Sequence, residues 1–145
     1  MVTGWVHEDG EWFYYGSSGG QASGWVRVHG TWYYLDPISG AMASGWMKVQ
    51  GAWYYLSSSG AMRTGWVRDG SSWYYLTSSG SLSTGWQRVG SSWYYLSPDG
   101  GAMVTGWLKD GGSWFYLSSS GAMVTGARWI DGTRYVFDDE GRLQP

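Results

Sequence analysis

The 145-residue chain has no cysteine, so neither a disulfide nor a thiolate metal site holds it together. It has two histidines, His7 and His29, and no Asp, Glu or Cys recurs beside them to complete a metal site. Charge is scarce as well. Charged residues make up 14% of the chain, and the formal net charge is −2. The basic residues are spaced out and form no nucleic-acid footprint. No apolar run approaches transmembrane length, and no signal peptide precedes the repeats described below. An exported protein is therefore expected to contain this chain as a fragment or a mature form.

These absences narrow the chemistry. Catalysis needs a nucleophile, a base or a metal in a fixed constellation. The serines stand in connectors with no base in the same repeat. Asp138, Asp139 and Glu140 lack the alternating spacing of a calcium loop and read as a solvated end. No catalytic activity, metal or cofactor is expected.

What the chain has is aromatic rings, including 13 Trp and 12 Tyr. They recur. A first Trp falls at Trp5, Trp25, Trp46, Trp66, Trp86 and Trp107, giving a period of 20 or 21 residues. A second follows seven positions later, at Trp12, Trp32, Trp53, Trp73, Trp93 and Trp114. Self-similarity at this period marks a solenoid or array. Between the two Trp residues lie pairs such as Asp9-Gly10, His29-Gly30, Gln50-Gly51 and Gly70-Ser71, which tolerate the positive φ of a two-residue hairpin loop. Val, Tyr and Trp on both sides favour extended chain, so each repeat is predicted to be a β-hairpin.

Placing His29-Gly30 in the loop sets the register: Val28 faces Thr31, Arg27 faces Trp32, Val26 faces Tyr33 and Trp25 faces Tyr34. Alternation then puts Trp25, Arg27, Trp32 and Tyr34 on one face, and Val26, Val28, Tyr33 and Leu35 on the other. Connectors such as Ser57-Ser58-Ser59-Gly60 read as tight links. Each is followed by an apolar filler: Met42, Met62, Leu82, Met103 or Met123, with Gln21 the exception.

The expected architecture is an all-β solenoid of stacked hairpins, one repeat domain over 1–145. It has an atypical first repeat (1–23), five regular repeats (24–125) and a C-terminal cap (126–145). In the cap Ala127 replaces the first Trp, Arg134 the second and Val136 the Tyr. Trp129 appears where other repeats place Arg, Lys or His, and Asp131-Gly132 keeps the turn.

Rings set around a small cavity attract an ammonium group that cannot hydrogen-bond, and repetition adds avidity on a polymer. At these residues the sequence resembles the choline-binding repeats of bacterial surface proteins and phage lysins. The pattern Gly-Trp, turn, Trp-Tyr-Tyr-hydrophobic, Gly-x-Met-x-Thr-Gly is met closely by 45–65 and 65–85. The resemblance implies a left-handed β-solenoid, secreted and cell-wall associated, holding choline or phosphocholine of teichoic acids between consecutive hairpins. It implies cages of two Trp and the next repeat's Tyr, backed by Met or Leu. These are Trp25, Trp32 and Tyr55; Trp46, Trp53 and Tyr75; Trp66, Trp73 and Tyr95; Trp86, Trp93 and Tyr116. Trp5, Trp12 and Tyr34 match in aromatics, with Gln21 at the Met position. Met42, Met62, Leu82 and Met103 are the implied backing residues. Trp107 and Trp114 face Val136, so that cage is expected to be incomplete.

Arg27, Lys48, Arg68, Arg88 and Lys109 share the Trp face, and stacking on the second Trp is favoured over meeting a ligand phosphate. Similar aromatic repeats occur in glucan-binding domains of secreted glucosyltransferases and in toxin receptor-binding repeats. A glycan is therefore the second candidate ligand, and a purely structural solenoid the third reading.

Overall fold

A computed structural model describes residues 2–145. Among the described residues there are fourteen five-residue strands and no helix, and successive strands pair as seven two-stranded hairpins. They are β1 (Gly4–Glu8) with β2 (Glu11–Tyr15), β3 (Gly24–Val28) with β4 (Thr31–Leu35), and β5 (Gly45–Val49) with β6 (Ala52–Leu56). Next come β7 (Gly65–Asp69) with β8 (Ser72–Leu76), β9 (Gly85–Val89) with β10 (Ser92–Leu96), and β11 (Gly106–Asp110) with β12 (Ser113–Leu117). The last is β13 (Gly126–Ile130) with β14 (Thr133–Phe137). This is the expected all-β fold of tandem hairpins, of the β-solenoid class.

The register of the second hairpin is the expected one, with Trp25 opposite Tyr34 and Arg27 opposite Trp32. The turns follow their sequences. Asp9-Gly10, His29-Gly30, Gln50-Gly51 and Asp131-Gly132 have positive φ at both central residues, the mark of a type I′ turn. Gly70 and Gly90 are positive while the serines after them are not, which is the type II′ pattern. Both turn types match the right-handed twist of the flanking strands.

A lone two-stranded hairpin is marginal in water, so stability must come from what the hairpins pack against. Leu35, Leu56, Leu76, Leu96 and Leu117, each ending the second strand of a repeat, have no exposed surface. Burying a leucine contributes about 1.5–3 kcal/mol, and this one position supplies all of the fully buried large side chains. Each pairs by an isolated bridge with the residue that closes the following connector, as Leu35 does with Met42 and Leu56 with Met62. In the cap Phe137 takes the leucine's place and is buried with Val124 and Ile130.

The chain divides into two compact units, Met1–Val67 with Leu76–Leu82, and Arg68–Tyr75 with Ser83–Pro145. Each is tied together in the same way. In the first, the amides of Met42, Met62 and Leu82 donate to the carbonyls of Trp12, Trp32 and Trp53 at 2.8–2.9 Å. In the second, Met103, Met123 and Leu143 donate to Trp73, Trp93 and Trp114 at 2.8 Å. The residue after hairpin n+1 thus anchors to the second Trp of hairpin n.

The connectors explain the two repeat lengths. Ser57 and Thr77 open turns closed by Gly60 and Gly80 three residues on, whereas Asp36 and Ser97 open turns closed by Gly40 and Gly101 four residues on. The extra residue is absorbed by Pro37 or Pro98 at the second turn position. Asp36 Oδ1 also accepts the amides of Ser39 (3.0 Å) and Ile38 (2.8 Å), and these bonds hold its carboxyl below the ordinary carboxylate range.

Gly60 carries two constraints at once. Its φ is +89°, and a Cβ there would lie 2.3 Å from Met42 Sδ. Gly80 over Met62, Gly121 over Met103 and Gly141 over Met123 repeat the arrangement. Gly60→Ala should therefore cost about 2–4 kcal/mol, combining left-handed strain with overpacking against Met42. Thermal unfolding followed by far-UV circular dichroism checks this; an unchanged midpoint would mean that the methionine gives way freely.

Candidate functional site

In each of the first six hairpins the strands put both Trp side chains on one face, called the front here. In the second hairpin the Trp25 and Trp32 rings stand 6.4 Å apart at 87°. Trp25 is held edge-on by Tyr34 of its own hairpin, at 5.1 Å and 68°. A third ring, Tyr54 of the next hairpin, meets Trp25 at 5.0 Å and 67°. Perpendicular ring contacts of this kind add to area burial because the positive edge of one ring meets the negative face of another. Together Trp25, Trp32, Tyr54, Met62 and Ser79 line a cavity of about 350 Å³.

The first hairpin has the same construction. Trp5 contacts Tyr14 at 5.0 Å and Tyr33 at 4.9 Å, and Trp5, Trp12, Tyr33, Met42, Ser58 and Ser59 line a cavity of about 350 Å³. In the second unit Trp86 meets Phe115 at 5.0 Å, and these two with Trp93 and Met123 form the walls of a cavity of about 430 Å³. Trp86 Nε1 also donates to Asp110 Oδ2 at 2.9 Å, which fixes the indole's orientation. Trp107 stands 6.3 Å from Trp114 at 85° and meets Tyr135 at 4.9 Å.

These contacts correct the expected third ring. Tyr34, Tyr55, Tyr95 and Tyr116 pack on Trp25, Trp46, Trp86 and Trp107 of their own hairpins, at 4.8–5.1 Å. The rings offered to the preceding hairpin are Tyr33, Tyr54, Phe115 and Tyr135, each one residue earlier and so on the opposite, back face. The physical reason is that the front of one hairpin meets the back of the next, and a front-face tyrosine points away from its predecessor. Tyr75 sits at the same repeat position as Tyr55, in β8 beside Trp73, and its carbonyl accepts the Ser83 amide.

Two further expectations change for the same reason. The methionine closing a cavity belongs to the connector after the next hairpin, so Met42 completes the first site and Gln21 does not enter it; the Gln21 side chain lies against Gly40 instead. Met123 backs the Trp86 and Trp93 site. Beside Trp107 the third ring comes from Tyr135, not from position 136, and the Leu143 amide ties to Trp114. Val136 is a front-face residue, paired with Ala127.

The cations resolve in favour of stacking. Arg27, Lys48 and Arg68 lie 6.0 Å from the ring centres of Trp32, Trp53 and Trp73, and Lys109 lies 5.9 Å from that of Trp114. Arg27 does not line the cavity beside Trp32. Arg88 stands in the same register opposite Trp93. In the first hairpin His7 takes this place, its ring 4.6 Å from Trp12. Among the described residues no group of His, Cys, Asp and Glu is placed to hold a metal, and no helix is long and apolar enough to cross a membrane.

Tandem hairpins that enclose aromatic cavities at their junctions define a class of repeat module. The family model for the choline-binding repeat matches residues 2–45, 43–84 and 83–126, and the chain belongs to that family. Its structure is similar to that of CbpJ from Streptococcus pneumoniae, with a TM-score of 0.96 and 42% identity, covering 99% of this chain and 52% of that one. It is similar as well to choline binding protein F from Streptococcus pneumoniae, crystallised in the presence of a peptidoglycan analogue (TM-score 0.92, 44% identity, 99% and 52% coverage). The modular Cpl-1 endolysin complexed with a peptidoglycan analogue matches at a TM-score of 0.58 and 34% identity, over 86% of this chain and 37% of that one. The chain thus spans about half the length of the first two structures or less of the third. Comparison with curated protein sequences gave no match.

The ring assignment makes a direct stability prediction. Tyr135 is half-buried against Trp107 and the Val124–Ile130–Phe137 cluster, whereas Val136 is exposed. Tyr135→Ala should cost about 2–4 kcal/mol and Val136→Ala under about 1 kcal/mol. Urea denaturation compares the two; equal costs would put the third ring back at position 136.

Proposed function

We propose that the chain is a non-catalytic cell-wall-binding module that takes choline or phosphocholine of a wall polymer such as teichoic acid in its aromatic cavities. The observation that carries this reading is the exposure of the second Trp. Trp12, Trp32, Trp53, Trp73, Trp93 and Trp114 each leave 39–43% of their surface in solvent. A ring that only packed would have no reason to stay so open in every repeat, and repeated exposed apolar surface marks a binding site.

The geometry suits a quaternary ammonium. Two indoles, near a right angle in the second hairpin, a third ring and a methionine surround a volume that admits a small cation, and no charged side chain lines these two cavities. Each cation–π contact is worth roughly 0.5–2 kcal/mol, so a single site is weak and the repeats supply strength through avidity on a polymer. Family membership and the relatives crystallised with peptidoglycan analogues support a wall ligand, and with it an exported, surface-associated location.

Choline binds only the stacked state and should raise the melting temperature as its concentration rises. Tetraethylammonium, which shares only the quaternary centre, should do the same, and matched sodium chloride should not. Trp32→Ala should abolish the response of its own cavity while changing stability by only about 1–2 kcal/mol, because the ring is half open. Trp fluorescence during a choline titration reads the binding itself. Silence at millimolar choline, with retention on a dextran column, would transfer the module to a glucan.

A further inference from the structure

Each cavity is finished by a third hairpin, through the connector that follows it. Ser58 and Ser59 finish the first cavity, Ser79 the second, and Asp139, Glu140 and Arg142 the cavity of Trp86 and Trp93. The repeat alignment makes these the same positions. Asp138, Asp139 and Glu140 align with Ser57, Ser58 and Ser59, and Arg142 aligns with Ala61. The backbone is unchanged, since Asp138 bonds Arg142 and Gly141 just as Ser57 bonds Ala61 and Gly60, at 2.8–2.9 Å. The rim chemistry differs.

The serine rims are neutral and turned inward on themselves. Ser57 and Ser59 hydroxyls are 2.9 Å apart, as are those of Thr77 and Ser79. The acidic rim is different. Arg142 pairs with Glu140 and lies 3.6 Å from Asp138, so its charge is met twice. Asp139 forms no ion pair among the described residues, which leaves the rim of this one cavity with a net negative charge. Its third ring is also Phe115, where the other two cavities have Tyr.

A carboxylate is an acceptor only, and its hydrogen bonds to a cationic N–H are about twice as strong as neutral ones. A quaternary ammonium has no N–H to offer it. A primary ammonium does, and in a purely aromatic cage its donors would go unmet on leaving water. The negative rim also repels a phosphate attached to the ligand.

We infer that the cavity of Trp86, Trp93 and Phe115 has a different specificity from the serine-rimmed ones, taking a protonated amine that keeps its N–H groups and carries no adjacent phosphate. The inference rests on the proposed cation-binding role of the cavities and names the ligand class of this one.

Choline and ethanolamine test it, because they differ only in three methyl groups against three N–H bonds. Methionine ε-methyl NMR reads the cavities separately, with Met42 and Met62 reporting the serine-rimmed pair and Met123 the acidic one, assigned by Met→Leu variants. The choline-to-ethanolamine affinity ratio at Met123 should be lower than at Met42 and Met62 by about fivefold, the worth of one exposed charge contact. Phosphocholine should be weaker than choline at Met123 alone. Asp139→Ser, Glu140→Ser and Arg142→Ala together copy the first cavity's rim and should restore the ratio; Asp139→Asn with Glu140→Gln serves if that chain misfolds. Equal ratios at all three methyls, or a difference that survives the substitutions, would overturn the inference. If Met42 and Met62 ignore both amines while Met123 favours ethanolamine, the choline reading falls and this one stands. Silence at all three removes both.

Discussion

One backbone hydrogen bond organises the chain: the amide after each connector donates to the carbonyl of the second Trp one hairpin earlier. Met42 to Trp12 and Met123 to Trp93 are examples, both at 2.8 Å. A hairpin's strand edges otherwise face water, and a pair of five-residue strands buries little by itself. The bond pins the connector across the preceding hairpin and seals the leucine beside it, as Leu35, bridged to Met42, has no exposed surface. The methionine is then pressed onto the glycine of the following connector, where any side chain would collide with it. Three successive hairpins are thereby engaged by one residue: its amide on the first, its bridge on the second and its side chain on the third.

Stability and recognition share these parts. The residue that ties the stack also backs the cavity, and the tyrosine that packs between hairpins is the cavity's third wall. A cavity therefore exists only where neighbouring hairpins are docked, and ligand and stacking must reinforce one another. The second Trp is the exception that makes a site possible. It contributes a carbonyl to the tie, yet its ring is left two-fifths open with a cation beside it in four of the hairpins. The backbone holds that ring in place, so the side chain does not have to be buried to be fixed.

Much of this was legible in the residues. The period, the two-residue turns and the strand register all follow from local chemistry, and Trp25 opposite Tyr34 required only counting back from His29-Gly30. Alternation also placed Tyr33 and Leu35 correctly on the face away from Trp25 and Trp32. What alternation could not say is which face meets which. Tyr55 is named for the Trp25 cage by the family resemblance, which does not say which face joins which; here the front of one hairpin meets the back of the next, and Tyr54 is the back-face ring. The Gln21 expectation failed similarly, because a connector residue serves the hairpin before its own. A rule relating neighbours is not contained in any single repeat.

The front-to-back rule also explains the cap's composition better than the loss of aromatic residues does. A hairpin needs its back face to complete its predecessor, and the seventh keeps that face intact: Tyr135 against Trp107, Phe137 buried, Leu143 tied to Trp114. Its front face is the one that changes, to Ala127, Arg134 and Val136. Even the cation and the indole are exchanged across the strands, with Trp129 now opposite Arg134. The exchange moves the indole off the strand whose carbonyl elsewhere receives the tie, and Trp129 is 69% exposed where the second Trp of other repeats is near 40%. Substitutions on a back face disturb the preceding cavity; those on a front face change only the hairpin's own. The seventh hairpin thus retains every ring its predecessor requires while its own front-face set changes.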